Sequence, residues 1–289
     1  MLRTSFLLGS LLRPQATLRR AGDLFCTPFP SSRARALAAP TGQAAEADLE
    51  LDGQRIHTYV WGDPRSQPYV LFAHGWSSHG TRFLPWVERL HECGYAVVAF
   101  DQPAHGRSGG RRATLPEFAR TLAEVGRRFG PAAALVGHSL GGAAAAIAMA
   151  RGLAVERAVL IAPAADPVDA ALRFARVVGL PMRLGRRMVA MFESMVGTSF
   201  DEFQAHRNAP RIGSPALIVH DLDDREVPWA EGERYARYWP DARLLSTRGL
   251  GHNRIAQNED VIVATMRFLR GEAVGQRVVS TPALPYGIA

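Results

Sequence analysis

The sequence predicts an α/β fold, a mostly parallel doubly wound sheet with a small helical lid, and three observations predict it. Five short apolar runs, "PYVLFAHG" (68–75), "YAVVAFD" (95–101), "AAALVGH" (132–138), "RAVLIAP" (157–163) and "PALIVHD" (215–221), each end in a polar or glycine-containing loop. Near-continuous apolar runs of this length suit strands buried on both faces, as in a parallel sheet. Helical patterns fill most of the intervals, the alternation of a doubly wound architecture. The alternation pauses once, over residues 166–210, where two helical patterns and no strand candidate separate consecutive strands. An excursion of that kind is where a lid is inserted.

Taken in order, residues 1–45 form an arm that fits no strand-and-helix pattern and no motif. The domain proper runs over 46–271 and opens with "DLELDGQRIHTYVWGD" (48–63), whose alternation around Asp52-Gly53 reads as a hairpin. Helices are expected over 81–94, with Pro85 in the first turn, over 114–130, and in the alanine-rich stretch after Ser139. "PVDAALRFARVVG" and "LGRRMVAMFESMVG" supply the lid helices. A last strand at "ARLLS" and a last helix at "NEDVIVATMRFLR" close the domain, and 272–289 reads as a loose tail.

Composition removes several function classes. A chain of 289 residues that is 47% hydrophobic can fill one large core. No stretch approaches the ~20 apolar residues of a membrane span, so stable membrane insertion is not expected. The net charge of +7 rests on 34 basic residues that are all arginine, which reads as genomic codon bias, and much of the excess lies in the arm. Without clustered aromatics or a recognisable binding module, nucleic acid is not an expected partner. The absence of lysine excludes a Walker phosphate loop and a pyridoxal Schiff base. Cys26 and Cys93 make neither a metal cluster nor a disulfide framework and fit a reducing compartment. "MLRTSFLLGSLLRP" has a signal peptide's outline, but Arg13-Pro14 interrupts it and no small-residue cleavage site follows, so an amphipathic segment packing on the domain and a cytoplasmic location are expected.

The chemistry centres on "ALVGHSLGGAAAA" (134–146), which sets Ser139 between Gly137 and Gly141 where a strand gives way to a helix. A serine presented at such a corner needs a strained, positive-φ backbone, and glycines two positions to either side remove the Cβ atoms that would clash. The competing reading is a plain glycine-rich turn. Serine alone is a poor nucleophile, so a base must reach it and an acid must orient that base. Of nine histidines, His252 stands in "STRGLGHNRIAQ", a loop after the last strand with Gly249 and Gly251 to bend it. "HDLDDREVP" offers Asp221, Asp223 and Asp224 as the acid. With His220, the same run could be read as an oxygen-rich metal site, although it fits no calcium loop. For an oxyanion hole, "FAHGWSSHG" (72–80) lets Gly75 turn the backbone so that the N–H of Trp76 faces the substrate, with the N–H of Leu140 as second donor.

These segments resemble the α/β-hydrolase superfamily, within it the serine hydrolases that include esterases, lysophospholipase-like enzymes and the serine aminopeptidase-like group. The resemblance spans about residues 50–270. It rests on "HGW", "FDQPAHGRSGG", "GHSLGG", "DDREVP" and "GLGHNRI", in that order, as oxyanion loop, post-strand loop, nucleophile elbow, acid loop and histidine loop. It implies Asp224 as the acid, and it makes Asp101, His105, Gly106 and Ser108 structural members of a loop beside the site. It makes 166–210 a lid, with Phe174, Met188, Met191, Phe192 and Met195 available to line an apolar pocket. Two features depart from the pattern: His220-Asp221, where His-Gly is commoner, and the arm.

The function expected is a cofactor-independent serine hydrolase, carboxylesterase-like, acting on a small-molecule acyl substrate with an apolar acyl group. Ser139 attacks, His252 shuttles the proton and Asp224 orients it. Hydrolysis of another acyl bond, whether amide, thioester or carbon–carbon, or cofactor-free perhydrolysis uses much the same triad, and a ligand sensor on the same fold is the alternative from another class. Because every proposed catalytic group lies beyond the arm, removal of residues 1–40 is expected to leave catalysis intact.

Overall fold

The five apolar runs become the centre of one eight-stranded sheet. The computed structural model describes residues 2–278. Helices α1 (Leu2–Leu12), α2 (Pro14–Phe25) and α3 (Pro30–Ala38) precede the hairpin β1 (Ala45–Leu51) and β2 (Gln54–Trp61). There follow β3 (Tyr69–Ala73), α4 (Leu84–Glu92), β4 (Ala96–Phe100), α5 (Leu115–Phe129), β5 (Ala132–His138), α6 (Leu140–Ala150) and β6 (Val155–Ile161). The insertion contributes α7 (Pro167–Val178), α8 (Met182–Val196) and the single turn α9 (Ala205–Asn208). The sheet resumes with β7 (Ala216–Asp221), α10 (Trp229–Tyr238), β8 (Ala242–Thr247), the turn α11 (Gly251–Arg254) and α12 (Glu259–Leu269).

The strand order is β1-β2-β4-β3-β5-β6-β7-β8, and every pairing from β4 to β8 is parallel, while β1 and β2 join antiparallel at one edge. Asp52 and Gly53 both have positive φ, at 50° and 73°, the backbone that a two-residue hairpin of the strands' own twist demands. Along the central strands alternate residues enter different cores. Leu71, Val98, Leu135, Leu160 and Ile218 join α5, α6 and α10 on one face. Val70, Val97, Val136, Val159 and Leu217 join α4 and α12 on the other. Burial on both faces is why these runs are apolar throughout rather than alternating.

The arm, for which only an amphipathic N-terminal segment was expected, is mostly helical over residues 2–38, and α1 buries Phe6. Pro14 and Pro30 each stand in the first turn of their helix, where the missing N–H costs nothing. α2 buries Thr17, Leu18, Ala21 and Gly22, a stripe of small side chains that lets it lie on α7 and α8 of the insertion. A Cβ on Gly22 would come within 2.6 Å of the Met191 methyl carbon. α10, absent from the sequence reading, buries Tyr235 and is followed by the buried Trp239. The loose-tail expectation also changes over 272–278: Gln276 and Leu244 exchange backbone hydrogen bonds of 2.8 and 2.7 Å, which holds that segment on β8. The rest of that tail lies outside the described residues. Among the described residues no helix is long and apolar enough to cross a membrane.

Candidate active site

The parallel strands all deliver their C-terminal loops to one end of the sheet, where sites of open α/β folds form. There the end of β5 turns into α6 through Ser139, whose φ and ψ of 55° and −122° lie where a non-glycine residue is strained. The neighbours leave no room for more atoms. A Cβ on Gly137 would meet the Gly142 Cα at 2.7 Å, one on Gly141 would meet the Ala73 carbonyl oxygen at 2.2 Å, and one on Gly75 would meet the Ser139 Cβ at 2.9 Å. The Ser139 N–H donates to Ile161 O at 2.9 Å, and its carbonyl accepts from Gly142 N at 2.9 Å, so the strained residue is fixed on both sides.

His252 reaches this corner from α11, a single helical turn rather than the open loop expected. Its Nε2 lies 2.9 Å from Ser139 Oγ, and its Nδ1 lies 2.7 Å from Asp224 Oδ2. Its carbonyl oxygen accepts from Nε2 of the buried His138 at 2.8 Å. Ser139, His252 and Asp224, distant in sequence, are thus in one hydrogen-bonded line.

The three aspartates of the acid loop have different partners. Asp224 Oδ1 accepts from the N–H groups of Glu226 and Val227 at 2.8 and 2.9 Å, leaving Oδ2 to His252. Burial alone would raise its carboxyl. Hydrogen bonds from His220 and His252, the His252 charge and the Val227 N–H together outweigh that and hold it well below the usual carboxylate range. Asp221 accepts from Thr247 Oγ1 at 2.7 Å, Leu250 N at 3.0 Å and Asp223 N at 3.0 Å, so it ties the histidine loop to β7. Asp223 accepts from Gly249 N at 3.0 Å. His220, fully buried, donates from Nε2 to Val227 O at 3.0 Å and lies 3.4 Å from Asp224 Oδ2, bracing the acid from behind. A Cβ on Gly232 would collide with that ring at 2.3 Å. The His220-Asp221 departure noted in the sequence therefore has a local explanation. Among the described residues, no three or more His, Cys, Asp or Glu side chains are arranged to hold a metal ion.

Leu140 opens α6, so its N–H has no acceptor within the helix, and neither it nor the Trp76 N–H donates to a protein acceptor among the described residues. The loop carrying Trp76 is held by two histidines. His74 donates from Nδ1 to Gly75 O at 2.7 Å and accepts the Gln102 N–H on Nε2 at 2.9 Å. His105 donates to Pro103 O at 2.8 Å and accepts the Ser77 N–H at 3.0 Å. Asp101 accepts from Tyr59 Oη at 2.9 Å and from Gly80 N and Arg107 N at 2.7 Å. Ser108 Oγ donates to Asp101 O at 2.5 Å. Gly106 at φ 48° brings the backbone over the Asp101 carboxylate, where a Cβ would lie 2.1 Å from Oδ2.

Above Ser139 and His252 lies a cavity of about 410 Å³, within the size range of small-molecule sites. Phe174 and Phe192 line it; Met188, Met191 and Met195 do not, and their assignment to the pocket is corrected. Met188 is fully buried in the insertion's own packing, Met191 is turned onto Gly22 of α2, and Met195 is 61% exposed. The wall is completed instead by Phe200 and Phe203 and by Leu24 to Thr27 and Phe29 of the arm. Phe25 bridges arm and insertion, its ring centroid 5.1 Å from Phe174 and 5.4 Å from Phe192. The signal missed was the recurrence of Leu18, Ala21, Gly22 and Phe25 at helical spacing between two proline punctuations.

A parallel sheet with Ser139 at a strand–helix corner and His252 after the last strand defines the α/β-hydrolase class of fold, and the comparisons agree. The sequence profile of the serine aminopeptidase (S33) family matches residues 64–193. A monoacylglycerol lipase of Mycolicibacterium smegmatis is 27% identical over 269 residues, covering 74% of this chain and 91% of that protein. A pimeloyl-[acyl-carrier protein] methyl ester esterase of Xanthomonas oryzae pv. oryzae is 32% identical over 257 residues, covering 70% of this chain and 95% of that one. Among solved structures, a bacterial membrane phospholipase A aligns with a TM-score of 0.62 at 20% identity, covering 93% of this chain and 95% of that one. The chain belongs to the α/β-hydrolase superfamily.

Burial lowers both His74 and His105 to about 3, so both rings are neutral in the folded protein at neutral pH. An unfolded chain takes up these protons near 6.5, so between about 6.5 and 3 the unfolded state binds more protons and stability falls with falling pH. Asp221 and Asp224, held low in the fold, add loss of the same sign at the acid end. Chemical denaturation across pH 7 to 4 is expected to show stability declining before the carboxylates titrate. A profile flat down to about pH 5 would contradict neutral, donor-bound histidines.

Proposed function

We propose that the chain is a cofactor-independent serine hydrolase that cleaves carboxylic esters of apolar acyl groups through an acyl-enzyme. The observation that carries this reading is the line Ser139 Oγ, His252 Nε2, His252 Nδ1, Asp224 Oδ2, with steps of 2.9 and 2.7 Å at its ends, at the floor of an apolar cavity. Ser139 Oγ attacks the acyl carbon while His252 Nε2 takes its proton. Asp224 holds Nδ1–H and so keeps Nε2 facing the serine, then stabilises the imidazolium. The N–H groups of Trp76 and Leu140 receive the developing oxyanion, each worth ~3 kcal/mol of transition-state stabilisation. His252 gives its proton to the leaving alcohol, and water admitted to the same position reverses the sequence on the acyl-enzyme.

Two of the relatives carry the names of a lipase and a methyl ester esterase, which favours an ester over the other acyl bonds this machinery can break. Phe174, Phe192, Phe200 and Phe203 favour an apolar acyl chain. Arg173 in the wall is paired with Glu231 at 2.6 Å and with Asp169, so it offers no free cation to an acidic substrate. In this reading α7, α8 and the arm together form the lid.

Ser139→Ala is expected to keep the fold and lose ~10³-fold or more in kcat, along with labelling by a fluorophosphonate. Near-normal turnover would reduce the corner to a turn. Asp224→Asn is expected to lower kcat ~10⁴-fold and, because the carboxylate is held low by the fold, to lower Tm as well while leaving the protein folded at assay temperature. Asp221→Asn keeps the orienting acid but loosens the histidine loop, so it should lower Tm and cost less activity. A folded, active Asp224→Asn beside an inactive Asp221→Asn would refute the assignment.

The arm's place in the wall reverses the expectation that catalysis ignores it. Phe25→Ala is expected to lower kcat/KM for an octanoyl ester ~10-fold while leaving an acetyl ester nearly unchanged, the discrimination a hydrophobic pocket typically supplies. Equal effects on both chain lengths would mean that Phe25 does not touch the acyl group.

A further inference from the structure

Eleven of the thirteen large apolar side chains exposed among the described residues lie between Leu2 and Leu37 or between Val177 and Met195; Leu222 and Val263 are the others. The exposed apolar surface is therefore concentrated on the arm and on α7–α8. On α1, Phe6 is buried inward while Leu8, Leu11 and Leu12, at helical spacing, face solvent, the last two at 81% and 79% exposure. At 11 residues α1 is too short to span a bilayer. Its first turn abuts the end of α7, where a Cβ on Gly179 would come within 3.1 Å of Arg3, and α7 carries Val177. Val177, Leu24 and Phe29 are exposed and also line the cavity, so its mouth has an apolar rim next to the α1 stripe.

Charge on the same elements selects an occupant. Arg3, Arg13, Arg19 and Arg20 are exposed, and among the described residues none has a carboxylate partner. Arg183, Arg186 and Arg187 of α8 are likewise exposed without one. The single acid of the arm, Asp23, is already held by Arg112 at 3.0 Å. A second copy of the chain meeting this face about a two-fold axis would set these cations against one another. An anionic lipid surface accommodates both features, taking leucines into the acyl boundary and arginines at the headgroups.

We propose that α1, α2 and the exposed side of α7–α8 form a docking face for anionic lipid surfaces, next to the mouth of the cavity. The face is used peripherally, without a spanning segment. Its readout is binding, so it stands or falls independently of the hydrolytic reading.

The test is co-sedimentation of the full chain with vesicles of phosphatidylcholine alone or with added phosphatidylglycerol, at low and high salt, beside sedimentation velocity without lipid. Binding is expected with phosphatidylglycerol, weakening as salt rises. Leu11→Asp combined with Leu12→Asp should reduce partitioning ~10-fold or more, without changing Tm or turnover of a soluble acetyl ester. Arg13→Gln with Arg19→Gln should reduce binding to anionic vesicles and flatten its salt dependence, which keeps the test decisive should the leucine variant fold poorly. No vesicle binding, or binding that both variants leave unchanged, overturns the proposal. So does a wild-type dimer that the leucine substitutions dissociate, since the face would then be covered by a second copy.

Discussion

The site depends on how closely three backbone segments approach one another around Ser139. The strand end at Ala73–Gly75, the β5 end at Gly137 and the first turn of α6 at Gly141–Gly142 converge where an added Cβ on any of these glycines would fall 2.2 to 3.0 Å from its neighbours. That crowding holds Ser139 at φ 55°, a conformation that costs ~1–3 kcal/mol and persists only when its surroundings leave no alternative. The same approach puts the start of α6 beside the loop of Trp76, so the nucleophile candidate and both oxyanion candidates share one constraint. The all-alanine stretch of α6 extends it: small side chains over residues 143–146 let that helix lie deep against the sheet.

The charged side of the site is organised by supplying donors to carboxylates. The three aspartates at the end of β7 and just beyond it each accept from different backbone N–H groups, and the division of labour follows from which oxygen is left over. Asp221 has Thr247, Leu250 and Asp223 around it and faces the loop rather than the imidazole. Asp224 has its Oδ1 satisfied by two N–H groups, so only Oδ2 is directed at His252. His220 supports that arrangement from the sheet side, and His138 supports the backbone of His252. Burial holds His138 well below the ordinary imidazole range, so it is a rigid support that needs no charge.

Most of the sheet was legible because two-sided burial writes itself directly into sequence as unbroken apolar runs, and the corner was legible because close approach demands glycine. The choice among Asp221, Asp223 and Asp224 was not readable from residue type, since all three are hydrogen-bonded turn acids and only the fold separates their free oxygens. The methionines misled for a related reason. A flexible apolar side chain on a helix fits a pocket, a core or a helix seam equally well, and Met188, Met191 and Met195 went respectively to the core, to α2 and to solvent. Beyond its amphipathic start, the arm was missed because the recurrence of Leu18, Ala21, Gly22 and Phe25 is short and made largely of small residues, which point to no partner until the fold supplies one. α2 is stabilised by packing small residues onto α8, a tertiary effect that propensity does not carry.

That packing also explains why an arm rich in leucine and arginine is structured at all. α1 buries little besides Phe6, and α3 only Ser32 and Ala36, so neither would hold its place without neighbours. α1 rests on α2 and α7, and the rest of the arm is held by the Phe25 ring against Phe174 and Phe192, together with the bonds from Ala113 N to Cys26 O at 2.9 Å and from Phe29 N to Ser77 Oγ at 3.1 Å. The arm is thereby joined both to the insertion and, one residue beyond Trp76, to the loop proposed to hold the oxyanion. A displacement of the arm would therefore open the cavity wall and disturb that loop at the same time. Two features that looked separate in the sequence, a basic N-terminal arm and an apolar helical insertion, together wall the cavity above Ser139.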